Sequence, residues 1–297
     1  MSDALLDTAF DQIRAEIDAL FSNLLVVPPD PRARLFEAMR YAAIGGGKRL
    51  RPLLAVAASG LFYVDRRRSV RAGLSAECIH VYSLIHDDLP SMDDDDLRRG
   101  KPTLHRAFDE ATAILAGDSL HALAFEVLAD EATHEDPFVR SELVSELASA
   151  AGPSGMAGGQ MMDIGASEGG LDLAAVTRLQ QLKTGALIGF CLEAGAIMGR
   201  VPPEGRLKLR GYARDVGLAF QIADDLLDEE GDEEKTGKKV GKDREQGKET
   251  FVTLLGRDRA RRQAELLVDQ AAGYLASYGT EADLLRAIAR FAIERDH

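Results

Sequence analysis

The chain has 297 residues, 45% of them hydrophobic and 29% charged, with 49 acidic side chains against 36 basic ones and a net charge of −13. Such a balance belongs to a folded globular protein and excludes a disordered chain, a collagen-like fibre and a disulfide-stapled miniprotein. Without a basic excess to neutralise a phosphate backbone, nucleic acid is not an expected partner.

Taken in order, the apolar residues recur at threes and fours almost everywhere. Leu5, Phe10, Ile13, Ile17 and Leu20 open the pattern, with one wider step after Leu5. Leu179, Leu182, Ala186 and Phe190 repeat it, as do Leu284, Leu285, Ile288 and Phe291 near the end. That spacing predicts amphipathic helices. Alternating strand patterns and Asn-Gly or Asp-Gly turn signals are absent, so an all-α protein of ten or more helices is expected. The Gly-rich stretch from Gly152 to Gly170 includes Met156, Met161, Met162 and Ile164. Large apolar residues among small ones suit closely packed helices better than a linker, so residues 1–297 read as one domain. Cys78 and Cys191 lie in apolar stretches and read as buried free thiols. The opening MSDALLDTAF lacks a charged-then-apolar signal pattern. The longest uncharged run, Leu53 to Val64, falls short of the ~20 residues a bilayer crossing needs. A cytoplasmic protein without stable membrane insertion is the expectation.

The negative charge is concentrated in two places. Asp87 to Asp96 carries six acids and Asp224 to Glu234 carries eight, neither with a Lys or Arg, and the remainder of the chain is almost neutral. Two such concentrations suggest bound cations rather than a solubilising surface. In HDDLPSMDDDDLRRG, Pro90 should stop a helix near Leu89, leaving Asp87 and Asp88 at its C-terminus, where unpaired carbonyls favour a cation. Asp93 can fold back past the proline toward Asp87. His80, Ser83 and Asp87 share one helical face. In FQIADDLLDEE, Asp224 and Asp228 stand one turn apart, a repulsive spacing that a divalent ion would make favourable. Few ligands, all carboxylate, suit Mg²⁺ sharing its shell with phosphate oxygens.

Basic residues flank both clusters. GGGKRLRP carries Lys48, Arg49 and Arg51, while Arg98 and Arg99 follow the first cluster directly. Lys238, Lys239, Lys242 and Lys248 follow the second. Arginine forks and lysine point charges in these positions fit phosphate. GGGK lacks the frame of a nucleotide-binding P-loop, so nucleotide hydrolysis is not indicated. Between the clusters, Thr184 and Gly185 interrupt an apolar helix and predict a kink, which with Lys183 and Gln221 would place a polar spot on an apolar wall. A packing glycine is the alternative reading there.

From about Arg34 to Leu255 the chain resembles the trans-prenyl diphosphate synthases. The resemblance is carried in order by GGGKRLRP, the DDxxxxD from Asp87 to Asp93 with its RRG, GMAGGQMMD, the KTG at Lys183, FQIADDLLD, TGK and GKET. The four-residue spacer and Tyr82, five residues before Asp87, look most like the bacterial farnesyl diphosphate synthases. The resemblance implies a helical bundle around a central apolar cavity, and a homodimer. It implies that Asp87, Asp88 and Asp93 hold two Mg²⁺ ions and that Asp224, Asp225 and Asp228 hold a third, with Mn²⁺ a possible substitute. Arg98, Lys183, Lys238 and Lys248 would contact the allylic diphosphate. Lys48, Arg51, His80 and Arg99 would bind isopentenyl diphosphate, and Thr184 and Gln221 would stabilise the cation. Tyr82, beside Ser83, sits about 7.5 Å down the helix from Asp87 and would floor the pocket at fifteen carbons, or else pack between helices. Geranylgeranyl diphosphate synthesis, a class I terpene cyclase, a non-catalytic partner subunit and a metal-buffering helical protein are the competing readings.

Overall fold

The computed structural model describes residues 2–166, 170–230 and 249–294. It is helical as expected, with more than ten α-helices among the described residues. The first half holds α1 (Ser2–Leu24), α2 (Ala33–Ala43), α3 (Leu50–Gly60), α4 (Arg66–Asp87), α5 (Leu104–Ala107), α6 (Glu110–Ala129) and α7 (Pro137–Ala151). The second half holds α8 (Met156–Ala166), α9 (Leu173–Gln180), α10 (Ala186–Met198), α11 (Leu207–Glu230), α12 (Phe251–Leu255), α13 (Arg257–Tyr274) and α14 (Asp283–Glu294).

Helix starts are set by acids that satisfy the first free backbone N–H groups. Asp65 accepts from the amide of Arg67 ahead of α4, and Asp109 from that of Thr112 ahead of α6. Asp136 caps α7 with Pro137 in the first turn, and Asp172 caps α9. In α1 the buried face runs through Leu6, Phe10, Ile13, Ile17 and Phe21, while Leu5 is exposed. The wide step after Leu5 is therefore resolved by its neighbour, since Leu6 stands one turn from Phe10.

Two helices lie at the centre. α4 is buried continuously from Ala72 to Ile79, and α10 from Phe190 to Met198. α3 packs against both, α6 packs along α4, and α13 packs along α11. One apolar cluster extends from Leu6 to Ala292. α6 is the one helix among the described residues long and apolar enough to cross a membrane by length and composition. Its Ala113, Ala116, Leu120 and Ala124 are buried, whereas Ile114 and Leu115 on its outer side are exposed.

The sequence gives no hairpin signal, yet residues 97–102 form one. β1 (Leu97–Arg98) and β2 (Lys101–Pro102) pair antiparallel, joined by Arg99 at φ 53° and Gly100 at φ 75°. Two successive left-handed residues make the tight turn that suits twisted strands. With two residues per strand, no alternating pattern can build up to announce it.

Candidate active site

α4 ends at Asp87, slightly before Leu89, and the chain then doubles back. The amide of Asp93 donates to the carbonyl of Asp87 at 2.8 Å, and that of Asp94 to Leu89 at 3.2 Å. The helix-end carbonyl is thus satisfied by the chain itself, and the same bond brings Asp93 beside Asp87. Gln160 on α8 donates through Nε2 to Asp87 Oδ1 at 2.9 Å. Burial pushes the Asp87 carboxyl up to about 6; Lys183 pulls against that shift, while Asp93 adds to it.

Asp88 is used differently. It is buried, and Arg98 grips it in a fork, with Nε 2.8 Å from Oδ1 and Nη2 2.6 Å from the same oxygen. Burial outweighs that fork and raises the Asp88 carboxyl above its ordinary value. Asp88, expected among the metal ligands, holds Arg98 in this structure.

The KTG kink is present as a π-helical turn, Gln181–Gly185, between α9 and α10. One extra residue in the turn lets two adjacent side chains face different neighbours. Lys183 reaches Asp163 on α8, Nζ to Oδ2 at 2.7 Å, and its charge acts on Asp87. Thr184 donates to Gln221 Oε1 on α11 at 3.5 Å. α8 meets this turn only because residue 159 is glycine; a Cβ there would fall 2.3 Å from the Lys183 nitrogen.

On α11, Gln221 donates to Asp225 Oδ1 at 3.0 Å, and the amide of Phe251 donates to Asp225 Oδ2 at 2.9 Å. Asp225 is buried and ties α11 to the start of α12. Like Asp88, it is among the residues expected to bind metal, and both of its oxygens accept from protein. Asp224 and Asp228 are partly exposed on the same helix.

The third part of the site is cationic. His80, Arg51, Arg98, Arg99 and Arg49 act on one another. Burial first, then Arg51 and Arg99, drive the His80 imidazole well below its ordinary pKa, so it is neutral. Arg51 is lowered by burial, with Glu77, Cys191 and Asp224 opposing, and its Nε has no hydrogen-bond partner among the described residues. A desolvated guanidinium with an unused donor calls for an anion. Arg99 lies against the glycine loop, where a Cβ on Gly47 would meet its Nη1 at 2.6 Å. Lys48 sits 5.0 Å over the Phe291 ring of α14. A cavity of about 250 Å³ adjoins this cluster, lined in part by Gly45, Gly46, Gly47, Arg98, Arg99 and Lys101. Lys238, Lys239, Lys242 and Lys248 lie outside the described residues.

Two site residues were not singled out from sequence. Gln160 and Asp163 stand one turn apart in MAGGQMMD, where two polar residues among small and apolar ones were the available signal. Arg49 is buried at φ 58°, pairing with Glu77 and Asp18 at 2.8 Å each. Its partner Glu77 is a lone acid in the apolar stretch of α4.

Among the described residues no three His, Cys, Asp or Glu side chains form a metal cage alone. The donor chemistry nonetheless fits Mg²⁺, which typically takes one or two carboxylates and completes its shell with water and substrate phosphate. Asp87, a half-buried carboxyl whose ionised form burial disfavours, would gain most from such a cation.

An all-α bundle with carboxylates at the ends of two helices, a lysine-bearing π-turn between them and an arginine cluster alongside defines a protein that handles diphosphates. The family model described as polyprenyl synthetase matches residues 32–283. The chain is 44% identical over 283 residues to farnesyl diphosphate synthase of Escherichia coli (strain K12), covering 93% of this chain and 94% of that one. It is 42% identical to geranylgeranyl pyrophosphate synthase 12, chloroplastic, of Arabidopsis thaliana, covering 89% and 74%. The apo crystal structure of an FPP/GFPP synthase from Zymomonas mobilis superposes with a TM-score of 0.90 at 57% identity, covering 99% of this chain and 100% of that one. The chain belongs to the polyprenyl synthetase family.

Proposed function

We propose that the protein is a prenyltransferase. It condenses dimethylallyl or geranyl diphosphate with isopentenyl diphosphate head to tail, with farnesyl diphosphate as the main product. The observation that carries this reading is the π-turn, whose Lys183 acts toward Asp87 and whose Thr184 meets Gln221, one turn before Asp225. Asp87, Asp93, Asp224 and Asp228 are the residues to hold Mg²⁺, expected as three ions, with Asp88 and Asp225 behind them. Bound magnesium supplies Lewis-acid neutralisation of the leaving diphosphate.

The chain's own groups do the rest. Lys183 and Arg98, with Lys238 and Lys248, bind the allylic diphosphate and favour the charge that gathers on it as the C–O bond breaks. Thr184 and Gln221 direct oxygen atoms at the allylic cation. Arg51 and Arg99, with Lys48 and neutral His80, orient isopentenyl diphosphate so that its double bond attacks that cation. The new C–C bond forms, and the proton is lost to the departing pyrophosphate, so no dedicated protein base is required. Apolar helices exclude the water that would quench the cation. The whole chain acts as a single domain in the cytoplasm. The exposed Ile114 and Leu115 on α6 offer a face for a second copy, in keeping with a homodimer.

Product analysis with each allylic diphosphate, with and without isopentenyl diphosphate, tests the reading. Condensation only when both are present supports it; hydrocarbon from the allylic diphosphate alone assigns a cyclase. Relatives named for farnesyl and for geranylgeranyl products match almost equally, so product length rests on Tyr82. Tyr82→Ala is expected to lengthen the product beyond fifteen carbons; an unchanged product places the floor elsewhere.

A further inference from the structure

The proposed chemistry gives Lys48 and Arg51 a task but none to Arg49, which stands between them. At 2% exposure Arg49 lies behind the site rather than on it. Its backbone is left-handed, at φ 58° and ψ 38°, just ahead of α3. A residue with a side chain keeps that conformation only where its surroundings enforce it. Three helices do so here. Nη1 donates to Glu77 Oε1 on α4 at 2.8 Å. Nη2 donates to Asp18 Oδ1 on α1 at 2.8 Å and to the carbonyl of Ala43 at the end of α2. Asp18 also accepts from the amide of Gly45 at 3.3 Å, so one carboxylate grips both ends of the glycine loop.

Glu77 is the group that needs this cation. It is 3% exposed and stands one turn before His80 on α4. Its charge also acts on Arg51 and Arg99, supporting the ionised form of each against burial. Yet Glu77 accepts from Arg49, while the Arg51 Nε has no hydrogen-bond partner among the described residues. A buried carboxylate stripped of its partner is costly and draws in a neighbouring cation. Without Arg49, that cation would be Arg51 or Arg99, the two arginines proposed for isopentenyl diphosphate. Arg98, on the allylic side, is balanced instead by Asp88, Asp95 and Asp87.

We propose that Arg49 is a positioning residue for isopentenyl diphosphate: by occupying Glu77 from behind, it leaves Arg51 and Arg99 free to take the diphosphate. The inference rests on the reading of this protein as a prenyltransferase. It assigns Arg49 no contact with substrate.

The test is steady-state kinetics of Arg49→Gly, varying isopentenyl and geranyl diphosphates in turn, beside the parent, Arg49→Lys and the double variant Arg49→Gly/Glu77→Gln. Glycine suits the left-handed backbone, so Arg49→Gly keeps the turn and removes only the partner of Glu77. The KM for isopentenyl diphosphate should rise about tenfold, the loss of about one charged hydrogen bond, while that for geranyl diphosphate stays within about twofold. Arg49→Lys, which still pairs with Glu77, should stay near the parent. The double variant strands no acid and should recover most of the lost affinity, whereas a merely structural role predicts deeper damage from a second core change. Arg49→Gln serves if Arg49→Gly does not fold, with the same split expected. An unchanged KM for isopentenyl diphosphate, an equal rise in both KM values, or a double variant no better than the single one would each overturn the proposal. If the parent condenses nothing, the prenyltransferase reading itself falls; a parent that condenses normally confines any failure to Arg49.

Discussion

The same dipeptide, Asp-Asp, stands at both acidic clusters and is divided the same way in each. At the end of α4, Asp87 takes one hydrogen bond from Gln160 and Asp88 is locked onto Arg98. On α11, Asp224 is partly exposed and Asp225 is locked by Gln221 and the Phe251 amide. In both pairs the second acid is buried and paired within the protein, and the first is less so. The locks differ in kind. The α4 lock is a charged guanidinium fork that also positions Arg98, the arginine proposed to bind the allylic diphosphate. The α11 lock uses two neutral donors and joins two helices. The first should be costly to break and coupled to substrate binding, the second cheaper and purely architectural.

The largest effect is expected at the acid that is not locked. Asp87→Asn keeps the shape and can still accept from Gln160, yet loses the charge; by analogy with removing a group that stabilises developing charge, activity should fall by about 10³-fold. Stability should move the other way. A carboxyl raised from 3.8 to about 6 binds its proton more tightly folded than unfolded. Its ionisation therefore destabilises the fold progressively as pH rises from about 4 through 6, by roughly 3 kcal/mol once both states are ionised. Without magnesium, Asp87→Asn should thus melt higher than the parent at pH 8 and equally at pH 4, as calorimetry at the two pH values would show. A lower Tm at pH 8 would mean that the Asp87 charge is compensated in the protein alone.

Next comes the charged lock. Asp88→Ala strands the Arg98 guanidinium, and breaking such a buried pair costs about 3 kcal/mol. Chemical denaturation should report that loss, and the KM for the allylic diphosphate should rise as Arg98 loses its aim. Asp88→Ala with an unchanged KM would separate Arg98 from the diphosphate and erase the difference between the locks, leaving both purely structural.

Much of this arrangement was legible in the sequence, and the rest was hidden for identifiable reasons. The helical class followed from apolar spacing, and the kink at Thr184–Gly185 from a polar pair inside an apolar run. The grouping of Arg51, His80, Arg98 and Arg99 followed from the motifs that contain them. What spacing could not tell was which protein groups engage each acid, because the partners, Phe251 for Asp225 and Gln160 for Asp87, arrive from distant segments. The same holds for Asp18 and Glu77 around Arg49, which arrive from α1 and α4. Locally, the Arg99–Gly100 turn escaped because its strands are too short to alternate, and Leu5 was taken for Leu6 because a single-residue choice decides which side of α1 is buried.

The smallest effect belongs to the neutral lock. In Asp225→Asn one amide oxygen can still accept from Phe251 or Gln221, but its NH₂ would face the other donor. One hydrogen bond is lost and one N–H left unpaired, which costs about 1–2 kcal/mol. No charge is stranded, so the loss should be independent of salt, unlike a weakened ion pair. Catalysis should fall only as far as Gln221 loosens, leaving KM for isopentenyl diphosphate unchanged. Denaturation at low and high salt, with steady-state kinetics beside it, checks both points. A loss of activity as deep as that of Asp87→Asn would show that Asp225 reaches the metal after all, and would erase the division between the two acids of the pair.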